Sequence, residues 1–361
     1  MSDIRQWLDQ TKGRGMKLGL ERVHAAHKSL IQSYESTIIH VAGSNGKGTA
    51  CALMATHLHR LNQTTVMFTS PHLVRLEERI RIDGRPISEQ QFDIYLSLIQ
   101  QTEIDLNIEL TFFETTFLAS CLCAQDINPD VFIVETGLGG RFDATRILPA
   151  DLCLLTSIQL EHRDILGNTL AEIAAEKAAI ARPGKPLFVQ EVQDTEARSA
   201  IEYEAYHAGQ EHLGEIASPA NLEWITIDSD SSMKEEALAL VKVTLNHLNY
   251  KIDLIEESMH ALNWPGRMQH IEPMSWGGSL FVDAAHNPSG LKRVLPSITE
   301  RVASKMEWCL VFGCTPQEDL DAFVQPLLDL CKKHPPSNIL LTIPQTGRYP
   351  GVPLSELRRL D

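Results

Sequence analysis

The chain lacks any surplus of positive charge. Its 32 lysines and arginines stand against 47 aspartates and glutamates, a formal net charge of −15. General nucleic-acid binders and binders of anionic membranes need a basic face, so this balance argues against both classes, though a local cationic pocket is still allowed. No apolar run is long enough to span a bilayer, and the opening MSDIRQWLDQ has no secretory-signal pattern, so a cytoplasmic location is expected. CxxC spacing is absent. The seven cysteines (Cys51, Cys121, Cys123, Cys153, Cys309, Cys314 and Cys331) are odd in number, and several sit in apolar runs. That pattern predicts buried free thiols in a reducing compartment ahead of zinc sites or disulfides. Internal repeats and low-complexity tracts are also missing, and KKHPP (332–336) reads as a loop. What remains is 361 residues, 43% hydrophobic and 22% charged, ordinary for a globular chain and enough for two domains.

Strand-like and helix-like runs alternate. The strand candidates are 38–42, TTVMF (64–68), VFIVE (131–135), DLCLL (151–155) and PLFVQ (186–190). Helical patterns fall near 50–61, 90–102, 114–125, 169–181 and 235–248. This predicts an α/β fold with a mainly parallel sheet covered by helices. Residues 209–234 look less regular. NWPG (263–266) reads as a linker, and a second alternating series follows in LFVDA (280–284), WCLVFG (308–313) and NILLTI (338–343). The expected domains are therefore 1–263 and a smaller α/β domain, 264–361.

The most informative stretch is IIHVAGSNGKGTACALM (38–54). A short β-branched run leads into Gly43, Gly46 and Gly48, which permit a tight turn and close backbone approach. Lys47 adds a cation and Thr49 a hydroxyl at the start of a helix. Free amides, a helix N-terminus and a lysine together make a phosphate cradle. It is not a standard Walker A sequence. Val41 stands where that motif has its first glycine, and Gly48 where it has its hydroxyl.

Four further segments put polar groups where strands should end: FTSPHL (68–73), ETGLGGRFDAT (135–145), TSIQLEH (156–162) and DAAHNP (283–288). Ligands of open parallel sheets bind at the carboxyl ends of the strands. Ser70, Glu135, Asp143 and His162 are thus candidates to converge with Lys47. Hydroxyl and carboxylate oxygens with phosphate suit Mg²⁺; a histidine is a less usual ligand for it. Each residue alone is weak evidence, since a serine before proline is usually a turn and a lone histidine usually packs.

These segments, with GLERV (19–23), TFFE (111–114), the EKAAI run around Lys177 and WPGR (264–267), resemble the folylpolyglutamate synthase and dihydrofolate synthase family of the Mur ligase superfamily. Their order and approximate spacing match from about residue 15 to about 290. The resemblance implies a P-loop-containing Mur-ligase-like central domain, 1–263, and a shortened Rossmann-like glutamate-ligase domain, 264–361. It implies ATP-dependent amide formation. The γ-phosphate of ATP activates a pteroate or folate carboxylate as an acyl phosphate, and the amine of L-glutamate displaces phosphate.

By the same resemblance, Gly43, Ser44, Asn45, Gly46, Lys47, Gly48 and Thr49 hold ATP, with Arg267 and Asp283 contributing and His286 a weaker candidate. Ser70, Glu135 and His162 match magnesium ligands. Lys177 matches a lysine that the family carbamylates, a reaction that needs a neutral amine and so a lowered pKa. Thr111, Phe112, Phe113, Glu114, Phe142, Asp143 and Ala144 match segments that hold the pterin, although core packing is the stronger expectation for any single phenylalanine. Lys47, Lys177 and His162 form the implied catalytic group. The implied partners are small molecules, with no nucleic acid or membrane and a monomeric state.

Where the family carries a GxHQxxNAxxA stretch, this chain reads SDSSMKEEALALV. Lys17 stands where an acidic residue is expected, and Glu161 where aspartate is usual. Two other readings fit the same residues: a Mur-type ligase with another pterin-like acceptor, or a nucleotide-binding protein without ligase activity.

Overall fold

The computed structural model describes residues 3–15, 17, 19–209, 213–228, 230–272, 277–304, 307–345 and 350–358. Part of the less regular stretch, 210–212 and 229, lies outside the described residues. The chain divides into two compact units, Met1–Leu262 and Asn263–Asp361.

The first unit opens with helices α1 (Asp3–Lys12) and α2 (Glu21–Leu30). Strand β1 (Thr37–Ala42) then runs into α3 (Lys47–Arg60) through the glycine loop. β2 (Thr65–Phe68) is followed by two short strands, β3 (Ile80–Ile82) and β4 (Arg85–Pro86), then α4 (Glu89–Leu106) and α5 (Phe112–Ile127). Next come β5 (Val131–Glu135), β6 (Leu152–Leu155), α6 (Arg163–Leu166), α7 (Leu170–Ala178), β7 (Pro186–Gln190) and α8 (Thr195–Tyr206). β8 (Asn221–Ile225), α9 (Met233–His247) and α10 (Ile255–Ala261) complete the unit.

The eight strands form one sheet in the order β4-β3-β2-β5-β1-β6-β7-β8. From β2 to β8 every pairing is parallel, and β3 and β4 are antiparallel. TIIHVA suits the centre of such a sheet. Its β-branched residues pack on both faces, and five of its six residues are buried. Strands β2, β5 and β6 are buried throughout.

Local chemistry sets the helix ends. Thr111 and Glu114 form a reciprocal capping box on α5, so that helix begins two residues before the apolar pattern suggests. Ser232 and Glu235 do the same for α9 within SDSSMKEEALALV. Asn107 and Asn128 stop α4 and α5 in the left-handed conformation, which asparagine tolerates. Three expectations need correction. The irregular stretch contains β8, an edge strand whose half-exposed, polar-interrupted sequence hides its period. α7 ends at Ala178, short of the periodic run to 181, because Ala181 N–H bonds in a turn to the Ala178 carbonyl. Lys332 and Lys333 belong to the last turn of a helix, where cations favour the negative end of the dipole, and are not loop residues.

The second unit has β9 (Gln269–Ile271) paired antiparallel with β10 (Leu280–Val282), and β11 (Cys309–Phe312) paired parallel with β12 (Asn338–Leu341). Helices α11 (Pro288–Ala303), α12 (Leu320–Lys333) and α13 (Leu354–Leu357) accompany them. α11 and α12 bury one apolar stripe each, Leu291, Val294 and Leu295 on one and Phe323, Val324, Leu327 and Leu330 on the other. All seven cysteines are free; five are buried, Cys331 is half-buried and Cys309 is exposed.

Candidate active site

The sheet order puts the four motif-bearing strands side by side, β2-β5-β1-β6, although they are far apart in sequence. Ser70 follows β2, Glu135 ends β5, the glycine loop follows β1, and Thr156–His162 follows β6. All four groups therefore leave the same, carboxyl edge of the sheet, where a parallel fold binds ligands.

The glycine loop is braced from below. Ser44 N–H donates to the Ser157 carbonyl at 2.7 Å, and Thr156 Oγ1 donates to the Asn45 carbonyl at 2.8 Å. Gln159 N–H donates to Ser44 Oγ at 3.0 Å. Gly43 (φ +138°) packs so closely that a Cβ would overlap Thr156 Oγ1. Gly46 (φ +90°) differs: a Cβ there would meet nothing within 4 Å, so its outer face is open. It caps α3 in a left-handed conformation, and Lys47 and Thr49 follow in the first turn. Room above the loop, with amides at a helix start, is what a phosphate requires.

Two lysines share one acceptor under this loop. Lys47 Nζ donates to the Gly43 carbonyl at 2.8 Å, and Lys177 Nζ reaches the same oxygen at 3.2 Å. Lys177, on α7, is 2% exposed and pairs with Glu161 Oε1 at 2.8 Å. Burial lowers its pKa, with the Glu161 charge opposing. Burial alone would raise Glu161, but the cations of Lys177 and Lys47 prevail and hold it at about 2. His162 feels the charges of Glu161, Lys177, Asp164 and Lys47; burial dominates and lowers its pKa.

Ser70 and Glu135 are joined directly, Ser70 N–H donating to Glu135 Oε2 at 3.0 Å. Glu135 is 5% exposed. Among the described residues no three His, Cys, Asp or Glu side chains cluster as a metal cage. The contact runs through the Ser70 amide, and His162 stands on the loop after β6, across β1 from Glu135; a hydroxyl, a carboxylate and an imidazole are the few protein ligands that Mg²⁺ could take.

The residues matched to acceptor binding divide by orientation. Phe142 is exposed, whereas Thr111, Glu114, Asp143 and Ala144 are buried. Glu114 Oε2 accepts from Thr111 N–H at 2.7 Å, and its Oε1 accepts from Arg22 Nη2 at 3.1 Å. Asp143 Oδ2 accepts from the Gly137 and Leu138 amides at 3.0 and 2.9 Å. Both carboxylates thus shape the backbone. Phe112 lies under two cations, Arg79 and Lys12, at 5.1 and 5.2 Å. Phe113 sets its edge on Phe68 at 5.7 Å, and a Cβ on Gly137 would strike its ring at 2.5 Å.

Arg267 and Asp283 belong to the second unit. Asp283 accepts from the Met268 and Ala285 amides, both at 2.8 Å. Burial raises its pKa, opposed by those amides and by the Arg267 charge. His286 is exposed, its Nδ1 3.1 Å from the Ala284 carbonyl.

Sequence reasoning gave no role to Glu161, Arg22 or Arg79. Glu161 was visible only as the neighbour of His162. Arg22 lies inside GLERV, and its charge match to Glu114 was the available signal. Arg79 is buried, with Nε donating to His72 Nδ1 at 2.9 Å; burial lowers its pKa to about 10.

No family model matches the chain. Curated relatives do. The dihydrofolate synthase/folylpolyglutamate synthase of Escherichia coli K12 is 31% identical over 302 residues, 80% of this chain and 70% of the relative. The protein of that name from Bacillus subtilis is 29% identical over 336 residues, 84% of this chain and 77% of the relative. Among solved structures, E. coli FolC in complex with DHPP and ADP superposes with a TM-score of 0.78 at 26% identity, covering 99% of this chain and 87% of that one. A bifunctional folylpolyglutamate synthase/dihydrofolate synthase with Mn, AMPPNP and L-glutamate bound gives 0.80 at 25% identity, covering 100% and 88%. Agreement along most of both chains, on a sheet that brings the shared motifs to one edge, establishes descent as well as fold: the chain belongs to the dihydrofolate synthase/folylpolyglutamate synthase family, on the Mur ligase fold.

Proposed function

We propose that the protein is an ATP- and divalent-metal-dependent ligase that joins L-glutamate to the carboxylate of a pteroate or folate. The observation that carries this reading is the open glycine loop over two lysines, beside the Ser70–Glu135 pair, on adjacent strands of one sheet.

In this reading Gly43–Thr49 hold the ATP phosphates, and Lys47 swings from the Gly43 carbonyl to the β/γ-phosphates. Ser70, Glu135 and His162 hold Mg²⁺, which when bound neutralises phosphate charge. The acceptor carboxylate takes the γ-phosphoryl group, ADP leaves, and the glutamate amine then displaces phosphate from the acyl carbon. A carboxylate is a poor acyl donor, so the chain's work is to align the acceptor with the γ-phosphate and to balance charge. Lys177 is the candidate for carbamylation, because burial raises its neutral fraction. Phe112, Phe113 and Phe142 give flat apolar surface for a pterin, on a backbone fixed by Thr111, Glu114, Asp143 and Ala144. Arg267 and Asp283 are assigned to ATP by the WPGR and DAAHNP sequences alone.

We also read the protein as a cytoplasmic monomer. No described helix is long and apolar enough to cross a membrane, and buried free thiols suit a reducing compartment.

Mass spectrometry of products tests the reading. The protein is incubated with ATP, Mg²⁺ and L-glutamate, with dihydropteroate in one tube and tetrahydrofolate in another. Addition of one glutamate to dihydropteroate, extension of tetrahydrofolate, or both is expected. Folded protein that binds ATP and modifies neither acceptor would reject it.

A further inference from the structure

His40 is the one titratable side chain on β1, and it is fully buried. Its Nε2 lies 2.7 Å from Thr145 Oγ1 and 2.9 Å from Thr136 Oγ1, while its Nδ1 has no hydrogen-bond partner. Orphaned buried nitrogens are uncommon, so the ring is placed for what Nε2 does. Burial, aided by the charges of Arg182 and Arg146, holds the imidazole neutral.

The tautomer follows from the partners. Thr145 Oγ1 donates its proton to Asp143 Oδ1, so it must accept from His40. Nε2 therefore carries the proton, shares it with Thr136, and leaves Nδ1 as a bare lone pair. Asp143 Oδ2 in turn holds the Gly137 and Leu138 amides. A continuous chain thus runs from β1, through Thr145 and Asp143, to the loop that carries Phe142. Thr136, on the same N–H, directly follows Glu135, and its own amide donates to the Val41 carbonyl at 2.9 Å.

We propose that His40 is a positioning residue for the acceptor: its Nε2–H, acting through Thr145 and Asp143, holds the 137–145 loop in the form that receives the pterin-bearing substrate. The inference rests on assigning Phe142–Ala144 to the acceptor. Hydrophobic filling cannot substitute for it, because removing the N–H leaves two buried hydroxyls without their donor.

The experiment compares His40→Leu, His40→Gln and Thr145→Val with the wild type. It measures acceptor KM and kcat by product mass spectrometry, and ADP affinity with a fluorescent nucleotide analogue. Glutamine can place an N–H where Nε2 lies, so it should restore what leucine loses. His40→Leu is expected to raise acceptor KM about tenfold while leaving ADP affinity within about twofold. His40→Gln should come back to within about threefold of wild type. Thr145→Val should match His40→Leu, and the double variant should be no worse than either single, as one shared chain requires.

A folded His40→Leu protein with wild-type acceptor KM would overturn the proposal, and so would an equal loss of nucleotide affinity. Should the leucine variant fail to fold, an unchanged acceptor KM in Thr145→Val decides against it in the same way. Wild-type protein that glutamylates neither acceptor strikes the functional reading first, and the role of His40 with it.

Discussion

Arg22 donates to the Glu114 carboxylate at 3.1 Å, joining the first turn of α2 to the N-terminus of α5. The other Glu114 oxygen holds the Thr111 amide, so one carboxylate ties GLERV to TFFE. Removing the cation leaves Glu114, which is 5% exposed, short of a partner. Arg22→Ala should cost about 2 kcal/mol of stability in urea unfolding. In an Arg22→Ala background, Glu114→Gln should recover part of that loss, since the amide carries no charge to compensate. A neutral Arg22→Ala would show that the pair contributes nothing.

Lys47→Ala should leave the urea midpoint close to wild type and reduce product formation by at least about a hundredfold, the scale of losing one charge-stabilising donor at a reacting centre. Among the described residues its side chain bonds only to loop carbonyls, and Glu161, which also feels its charge, keeps Lys177 as its direct partner, so no buried carboxylate is stranded. Product analysis at saturating ATP checks this. Wild-type rates would remove the loop lysine from the reaction.

The two loop glycines should separate stability from binding. Gly43→Ala forces a Cβ into Thr156 and should unfold the loop or the protein. Gly46→Ala meets no atom and carries only the strain of its positive φ, about 1–2 kcal/mol. Gly46→Ala is therefore expected to fold and yet bind nucleotide weakly, because the new methyl would occupy the open face proposed for phosphate. Thermal melting with and without ADP reads both quantities.

Lys177→Ala strands Glu161 in a buried site and should cost about 3–5 kcal/mol. Glu161→Gln combined with Lys177→Ala should regain most of it. If a carbamate on Lys177 is what the reaction needs, short carboxylic acids should restore part of the activity of Lys177→Ala. Full activity without them would show that carbamylation is dispensable.

Acid should destabilise the protein through His27. Burial, with the nearby charge of His24 adding, holds its pKa at about 4, against 6.5 ordinarily. The unfolded chain binds this proton below about pH 6.5, and the folded chain does not until about pH 4. Stability from this group is thus complete above 6.5 and is lost as the pH falls towards 4, by about 3 kcal/mol in all. Urea midpoints at about pH 7 and pH 5 should differ, and His27→Gln should shrink the difference.

Much of this arrangement was readable beforehand, for identifiable reasons. The central strands are β-branched, apolar and flanked by glycine, so their period and ends stand out. The glycine loop announces itself because only glycine permits the backbone at residues 43 and 46. Strand order was not readable: nothing in VFIVE or DLCLL says that these strands flank TIIHVA. β8 escaped because an edge strand needs no continuous apolar run. The roles of Glu114 and Asp143 escaped for a different reason. A carboxylate in a motif looks the same whether it faces a ligand or its own backbone, and only geometry shows that these two face inward.

The position of β1 also sets a timetable. Its only neighbours are β5 and β6, so it has no hydrogen-bonded partner until Val131 and Leu152 have been made. A chain emerging from the ribosome carries its glycine loop on a strand with two open edges while α3, β2, α4 and α5 are synthesised. Pairings this distant close slowly, and open apolar edges invite pairing with other chains. Nascent chains halted before Val131 should therefore need chaperone protection, and those extended beyond Leu155 should need far less.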